Sequence, residues 1–269
     1  MRILKSKSNN DIDAKFSKKE YGGNHTKYRN QVYFLSVMFS NLSSYFRIKE
    51  YKKRMKNKNN NTPEFYHFIP LDMDYAIKKL AAIKLYIQKT SNMDVKFLDC
   101  GCGPGNILFL VNQLAFNYKQ RADGIELDKE ASEMGRALLN YNKSYSGKIW
   151  NDDILTFRYY KRYNVIYYYC PIQNSMLEAL FEEILEDKVN KGTILVHNNK
   201  QSNGYVDDSR FRTIRLHDTR HNYIVCNILE KIKTGKRKFT KLSEKNRKSI
   251  PEKYHKLFDK HIKGLTVNR

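Results

Sequence analysis

Between Val95 and Lys231 the chain alternates short β-type runs with amphipathic helical runs, and that alternation admits few folds. VKFLDCG (95–101), RADGIEL (121–127), KIWNDDIL (148–155), YNVIYYYC (163–170) and GTILVHN (192–198) carry the apolar, β-branched and aromatic residues of strands. GNILFLVNQLAF (105–116), KEASEMGRALLNYN (129–142) and MLEALFEEILEDKV (176–189) read as helices between them, and DYAIKKLAAIKLYIQ (74–88) as a helix ahead of them. Strand–helix–strand succession of this kind gives an α/β domain with a mostly parallel sheet. RTIRLHD (212–218) and YIVCNILEK (223–231) face each other across Thr219–Asn222, so an antiparallel hairpin is expected at the sheet edge.

Charge divides the chain differently. The 269 residues carry a formal net charge of +22. Residues 1–58 hold 15 Lys and Arg against 4 Asp and Glu, and residues 231–269 hold 14 against 3. The stretch between is neutral. Two basic flanks on a neutral core point to a polyanionic partner, either RNA or DNA, or to an anionic membrane surface. Four scattered cysteines without a CxxC pair exclude a disulfide scaffold and argue against a structural zinc, so no metal is expected. Reduced thiols, and an opening MRILKSKSNND without a secretory pattern, fit an intracellular, cytoplasmic protein.

The flanks subdivide. Residues 1–30 read as a basic mobile arm. In 31–58, Leu35, Met38, Phe39, Leu42, Tyr45 and Phe46 form a helical apolar stripe followed by a basic run. That amphipathic helix suits docking on the domain or a partner, or lying on a membrane surface; it is short of the about 20 apolar residues a span needs. Residues 59–231 form the α/β domain, and 232–269 a basic C-terminal extension in which 250–265 suggests a short basic helix.

Ligands of open α/β sheets sit at the carboxyl ends of the strands. The first such end reads Asp99-Cys100-Gly101-Cys102-Gly103-Pro104-Gly105-Asn106. Glycines there let the chain turn sharply and let a ligand lie against backbone, next to the free N–H groups of the following helix. The spacing is GxGxG. It lacks the third glycine of the dinucleotide fingerprint and the Gly-Lys-Ser/Thr of a phosphate loop. At the next strand end, Glu126 is placed to accept hydrogen bonds from two ribose hydroxyls. Asp128 reads as the cap of the following helix. Asn151-Asp152-Asp153-Ile154 ends the third strand and offers a carboxylate to an exocyclic amine. Tyr169-Cys170-Pro171-Ile172 ends the fourth. Cys100 and Cys102 read as small packing residues.

FLDCGCGPGN, GIELD, NDDIL and YYYCPI, in that order, resemble motifs I to IV of the class I S-adenosylmethionine-dependent methyltransferases, over about residues 74–230. The resemblance implies a Rossmann-like seven-stranded sheet with an antiparallel edge hairpin, and S-adenosylmethionine as cofactor. It implies that Asp99, Gly101, Gly103 and Gly105 frame the methionine end, and that Glu126 holds the ribose. Asp153, or Asp152 in its place, would meet the adenine, and Ile154 would flank the ring.

The acceptor is less constrained. Tyr169-Cys170-Pro171-Ile172 shares one proline with the Asp/Asn/Ser-Pro-Pro-Tyr/Phe element of enzymes that methylate nucleic-acid amino groups, but neither its polar first residue nor its aromatic last one. Tyr169 and Pro171 are the candidate catalytic residues, Tyr169 facing the acceptor or packing at the rim. His197 is the best-placed histidine, with a structural role expected. Tyr66 and His67 would lie over the cofactor as a lid or pack against the domain. A second, looser resemblance is to membrane-proximal protein-lysine methyltransferases, carried by Phe68-Ile69-Pro70 and Tyr169-Cys170-Pro171. Three readings follow: a methyltransferase on RNA or DNA docked by its basic flanks, with Tyr51, Tyr254 and Phe258 stacking on bases; a protein-lysine methyltransferase anchored through 31–58; and a non-catalytic binding module that keeps the pocket. A small-molecule acceptor also stays open.

Overall fold

A computed structural model of the protein describes residues 2–5, 12–16, 73–91, 94–113, 121–141, 145, 147–169, 171–172, 174–197, 210–218, 223–234 and 247–263. The helical stripe of 31–58, the Tyr66–Pro70 element and Cys170 lie outside these residues.

Among the described residues, nine strands form one sheet. They are β1 (Arg2–Lys5), β2 (Ile12–Phe16), β3 (Lys96–Cys100), β4 (Arg121–Glu126), β5 (Ile149–Asn151), β6 (Val165–Tyr168), β7 (Ile194–His197), β8 (Phe211–Asp218) and β9 (Tyr223–Lys231). The helices are α1 (Met73–Thr90), α2 (Asn106–Gln113), α3 (Lys129–Tyr141), α4 (Ser175–Lys188) and the one-turn α5 (His255–Phe258). The strand order is β1-β2-β8-β9-β7-β6-β3-β4-β5. From β7 to β5 the pairs are parallel, and β9 joins β7 and β8 antiparallel. The fold is therefore α/β and Rossmann-like, with the expected hairpin of β8 and β9.

The strand count departs from expectation. Seven strands, β3 to β9, come from the part read as the domain. Two more come from the stretch read as a mobile arm: β2 pairs in parallel with β8, and β1 pairs with β2. Ala14 is fully buried there. RILK and IDAKF are too short and polar to announce themselves as strands. An exposed β8 edge supplies the backbone partners that make them so.

β6 shows why the sheet's centre was readable. Val165 and Tyr167 point into one apolar cluster with α1 and α2, while Ile166 and Tyr168 point into a second with α4. A strand buried on both faces has no polar alternation, only a continuous apolar run. α1 buries Ala76, Leu80, Ile83 and Ile87 on one stripe. α4 buries Leu177, Leu180, Phe181, Ile184 and Leu185, but also four glutamates, two of which meet cations. Glu183 and Glu186 lie 3.5 and 3.3 Å from the Arg210 guanidinium, and Glu186 lies 3.4 Å from Lys231 Nζ.

The second cluster contains a further surprise. Ile250, Tyr254, Phe258 and Ile262, from the expected basic extension, are all buried in it. The segment folds as a 3₁₀ turn (Glu252–Tyr254), then α5, then a π-type turn (Asp259–Lys263). Tyr254 and Phe258 are core residues, and neither ring is free to stack on a base.

Candidate nucleoside-binding site

β3 sits between β4 on one side and β6 on the other, so the chain departs from it in both directions. Such a switch point opens a crevice at the carboxyl edge. The expected ligand residues converge there. Asp99 pairs across the ladder with Gly124 and Tyr167, and Cys100 with Ile125 and Tyr168.

The turn after β3 is held by backbone. The N–H groups of Gly101 and Cys102 both donate to the Ile125 carbonyl, at 2.9 and 3.0 Å. Gly101, Gly103 and Gly105 have φ of 80°, 54° and 93°, a region L-residues with a side chain disfavour. At Gly101 a Cβ would also meet Pro171 Cβ at 2.9 Å, so the end of the fourth motif is seated directly on the first. α2 starts immediately after Gly105, with its first-turn N–H groups at the crevice. Asn106 Oδ1, buried at that helix start, has no hydrogen-bond partner among the described residues.

Glu126 is tied down at both oxygens. Oε2 accepts the Gly103 N–H at 2.7 Å and Oε1 accepts the Asp128 N–H at 2.8 Å. Burial pushes its carboxyl up, while the two N–H donors pull the other way. Asp99 is 3% exposed. Burial, and then the charge of Glu126, hold its carboxyl well above the usual carboxylate range. Asp128 Oδ1 accepts from the Ala131 N–H at 2.9 Å and caps α3, as read from the sequence.

The two carboxylates at the third strand end are both engaged locally. Asp152 turns Oδ1 back onto the Asp153 N–H at 2.7 Å. Asp153 Oδ1 accepts the Leu155 N–H at 2.9 Å, and its Oδ2 accepts the Tyr254 hydroxyl at 2.7 Å. Each carboxylate oxygen keeps a further lone pair, so Asp153 can still accept from a ligand amine. Ile154, expected to flank the ring, is buried with Leu155 and Phe157 in the second cluster. Leu127, expected as the last strand residue, instead follows β4 and is 47% exposed, the most exposed of the large apolar side chains among the described residues. An apolar residue between two acids at a strand exit was the signal for it. Leu127 and the Tyr254 hydroxyl are the two groups at these strand exits that the sequence did not assign to the crevice.

Of the candidate catalytic residues, Tyr169 is half-buried against the first cluster, and Pro171 is half-buried over Gly101. His197 stacks on Tyr168 with centroids 5.6 Å apart. Burial, then the Lys79 charge, bring its imidazole down to about 4, so it is neutral at pH 7. Cys100 and Cys102 are buried and their thiols pushed well up by burial, which suits packing and not nucleophilic work. Among the described residues no group of three His, Cys, Asp or Glu is placed to hold a metal, and no helix is long and apolar enough to cross a membrane.

No family sequence model and no curated protein sequence matches the chain. Solved structures do. An RNA methyltransferase from Salinibacter ruber in complex with S-adenosyl-L-homocysteine aligns with a TM-score of 0.40 at 18% identity, covering 60% of this chain and 96% of that one. The plantazolicin methyltransferase BpumL, with a desmethyl analogue of plantazolicin and SAH, gives 0.39 at 20% identity, over 64% and 61%. PKMT2 from Rickettsia typhi in complex with AdoHcy gives 0.33 at 25% identity, over 38% of this chain and 20% of that one. The chain thus spans nearly all of the first, about three fifths of the second and a fifth of the third.

Proposed function

We propose that the protein is an S-adenosylmethionine-dependent methyltransferase acting on a macromolecule, with RNA or DNA the favoured acceptor. The observation that carries the cofactor reading is the composition of the crevice. It gathers the carboxyl groups of Asp99, Glu126, Asp152 and Asp153, which accept hydrogen bonds when ionised, on a glycine turn that admits a ligand against backbone. Such a set fits a nucleoside that brings donors and positive charge. Asp99 would take the ammonium of the methionine end, Glu126 the ribose hydroxyls and Asp153 the adenine amine. Leu127 would cover an apolar ring face.

When bound, the cofactor supplies an electrophilic methyl group. The chain's task is to align a nucleophile with it, since alignment supplies much of the rate of a displacement. Pro171, packed on Gly101, and Tyr169 beside it put the acceptor-facing rim next to the methionine end. An amine acceptor attacks only when neutral, so the Tyr169 hydroxyl would accept a hydrogen bond from the acceptor N–H and orient its lone pair.

The nucleic-acid preference rests on charge. Lys248, Lys253, Lys256 and Lys260 stand exposed on the C-terminal segment, which is hydrogen-bonded to Asp153. A cationic rim beside a crevice recruits polyanions. Protein (lysine) methylation, with 31–58 as an anchor, is the alternative. Incubation with methyl-labelled S-adenosylmethionine and a total cell extract separates them. Label released by ribonuclease or deoxyribonuclease is the expected result. Label released only by protease overturns the nucleic-acid preference, and failure to bind S-adenosylhomocysteine overturns the cofactor reading.

A further inference from the structure

The C-terminal segment reaches the crevice at two points. Asn174, which caps α4 just after the fourth motif, donates from Nδ2 to the Ser249 carbonyl at 2.8 Å. Five residues on, the Tyr254 hydroxyl donates to Asp153 Oδ2 at 2.7 Å, across 101 residues of sequence. Between and beyond these points Ile250, Phe258 and Ile262 are buried in the cluster that also holds Ile154, Leu155 and Leu177. The segment therefore spans from the exit of β6 to the exit of β5.

A carboxylate held at one oxygen still rotates. Asp153 is held at Oδ1 by the Leu155 N–H, and that bond alone leaves Oδ2 free to swing. Tyr254 removes the freedom. Its ring is 1% exposed and packed, so its hydroxyl is a fixed donor. With one donor on each oxygen, the carboxylate has only further lone pairs to offer a ligand, and these accept. It thus selects a ligand amine and repels a keto oxygen.

We propose that Tyr254 is a positioning residue for base recognition: its hydroxyl fixes the Asp153 carboxylate so that the site selects a 6-amino purine over a 6-oxo purine. The C-terminal segment is then part of the cofactor site and not an appended tail. The proposal rests on the cofactor reading above, and its test separates the two.

The measurement is titration calorimetry of the full chain with S-adenosylhomocysteine and with its deaminated analogue, S-inosylhomocysteine. The wild type is expected to prefer the amino form by at least about tenfold, the scale of one hydrogen bond to a charged group. Tyr254→Phe keeps the packed ring and removes one oxygen. It should reduce that preference several-fold, with circular dichroism and melting temperature close to wild type. Asp153→Ala should abolish the preference, and Tyr254→Phe added to it should change nothing further. An unchanged preference in Tyr254→Phe overturns the proposal, as does an equal loss for both ligands, which marks a merely structural role. Wild-type protein that binds neither ligand sinks the cofactor reading instead.

Discussion

Glu126 Oε2 accepts the Gly103 N–H at 2.7 Å, a bond that ties the exit of β4 to the glycine turn after β3. The same carboxylate takes the Asp128 N–H on its other oxygen. A single side chain therefore holds two loops of the crevice in register, while each of its oxygens keeps a lone pair for a ligand.

Glu126→Gln tests that arrangement. An amide offers one oxygen and one NH₂, so its NH₂ must face a backbone N–H donor at Gly103 or Asp128. The conflict loosens one loop, and the ribose loses a charged acceptor. Binding of S-adenosylhomocysteine is expected to weaken by about 2 kcal/mol, on the scale of a charge-assisted hydrogen bond. Calorimetry checks it, and affinity within twofold of wild type would count against Glu126 as the ribose ligand.

Gly101 makes a second test, this time of shape. Its φ of 80° disfavours any side chain, and a Cβ would lie 2.9 Å from Pro171 Cβ. Gly101→Ala must both strain the turn, by about 1 kcal/mol, and push Pro171 away. Ligand affinity and turnover should fall together, turnover further if Pro171 lines the acceptor rim as proposed. A variant with wild-type turnover would show that the contact between the two motifs is not needed.

These residues were legible because their signals are local. A glycine turn between an apolar strand and a helix is contained in FLDCGCGPGN, and β6 announces itself by four apolar or aromatic residues in a row, Val165-Ile166-Tyr167-Tyr168. What was not legible depends on distant partners. β2 is a strand because β8 offers it an edge. Tyr254 meets Asp153 only once the chain has closed. The C-terminal anchors 250, 254, 258 and 262 step by four, and a 3.6-residue helix drifts off such a stripe. The segment keeps them on one face by passing from a 3₁₀ turn through one α-turn to a π-type turn, a change of winding that a fixed-period reading misses.

Asp99 gives a prediction about protons. Burial and Glu126 hold its carboxyl well above the usual range in the free protein. A cationic ligand favours the ionised form, so binding must release a proton wherever Asp99 is protonated beforehand. Affinity for S-adenosylmethionine should therefore rise with pH up to the free-state value and level off above it. Calorimetry in buffers of different ionisation heat reads the release directly, and Asp99→Asn should abolish it. Equal affinity at acid and neutral pH would remove Asp99 from the ligand set.

Glu178 carries the last prediction, on stability. It is buried on α4, and burial, then the charge of Glu182, raise its carboxyl to about 7. In the unfolded chain it titrates near 4.3. The folded state thus binds the proton more tightly, and the sign follows: below about pH 4 Glu178 has no differential effect, and between there and pH 7 its contribution turns unfavourable as pH rises. Above pH 7 the cost is constant. Glu178→Gln removes that cost, since an amide stays neutral. Its melting temperature should match wild type at pH 4 and exceed it at pH 8, with most of the gain appearing between pH 5 and 7. A variant less stable than wild type at pH 8 would mean that the ionised Glu178 is stabilised by a partner, and would reverse the sign assigned to it.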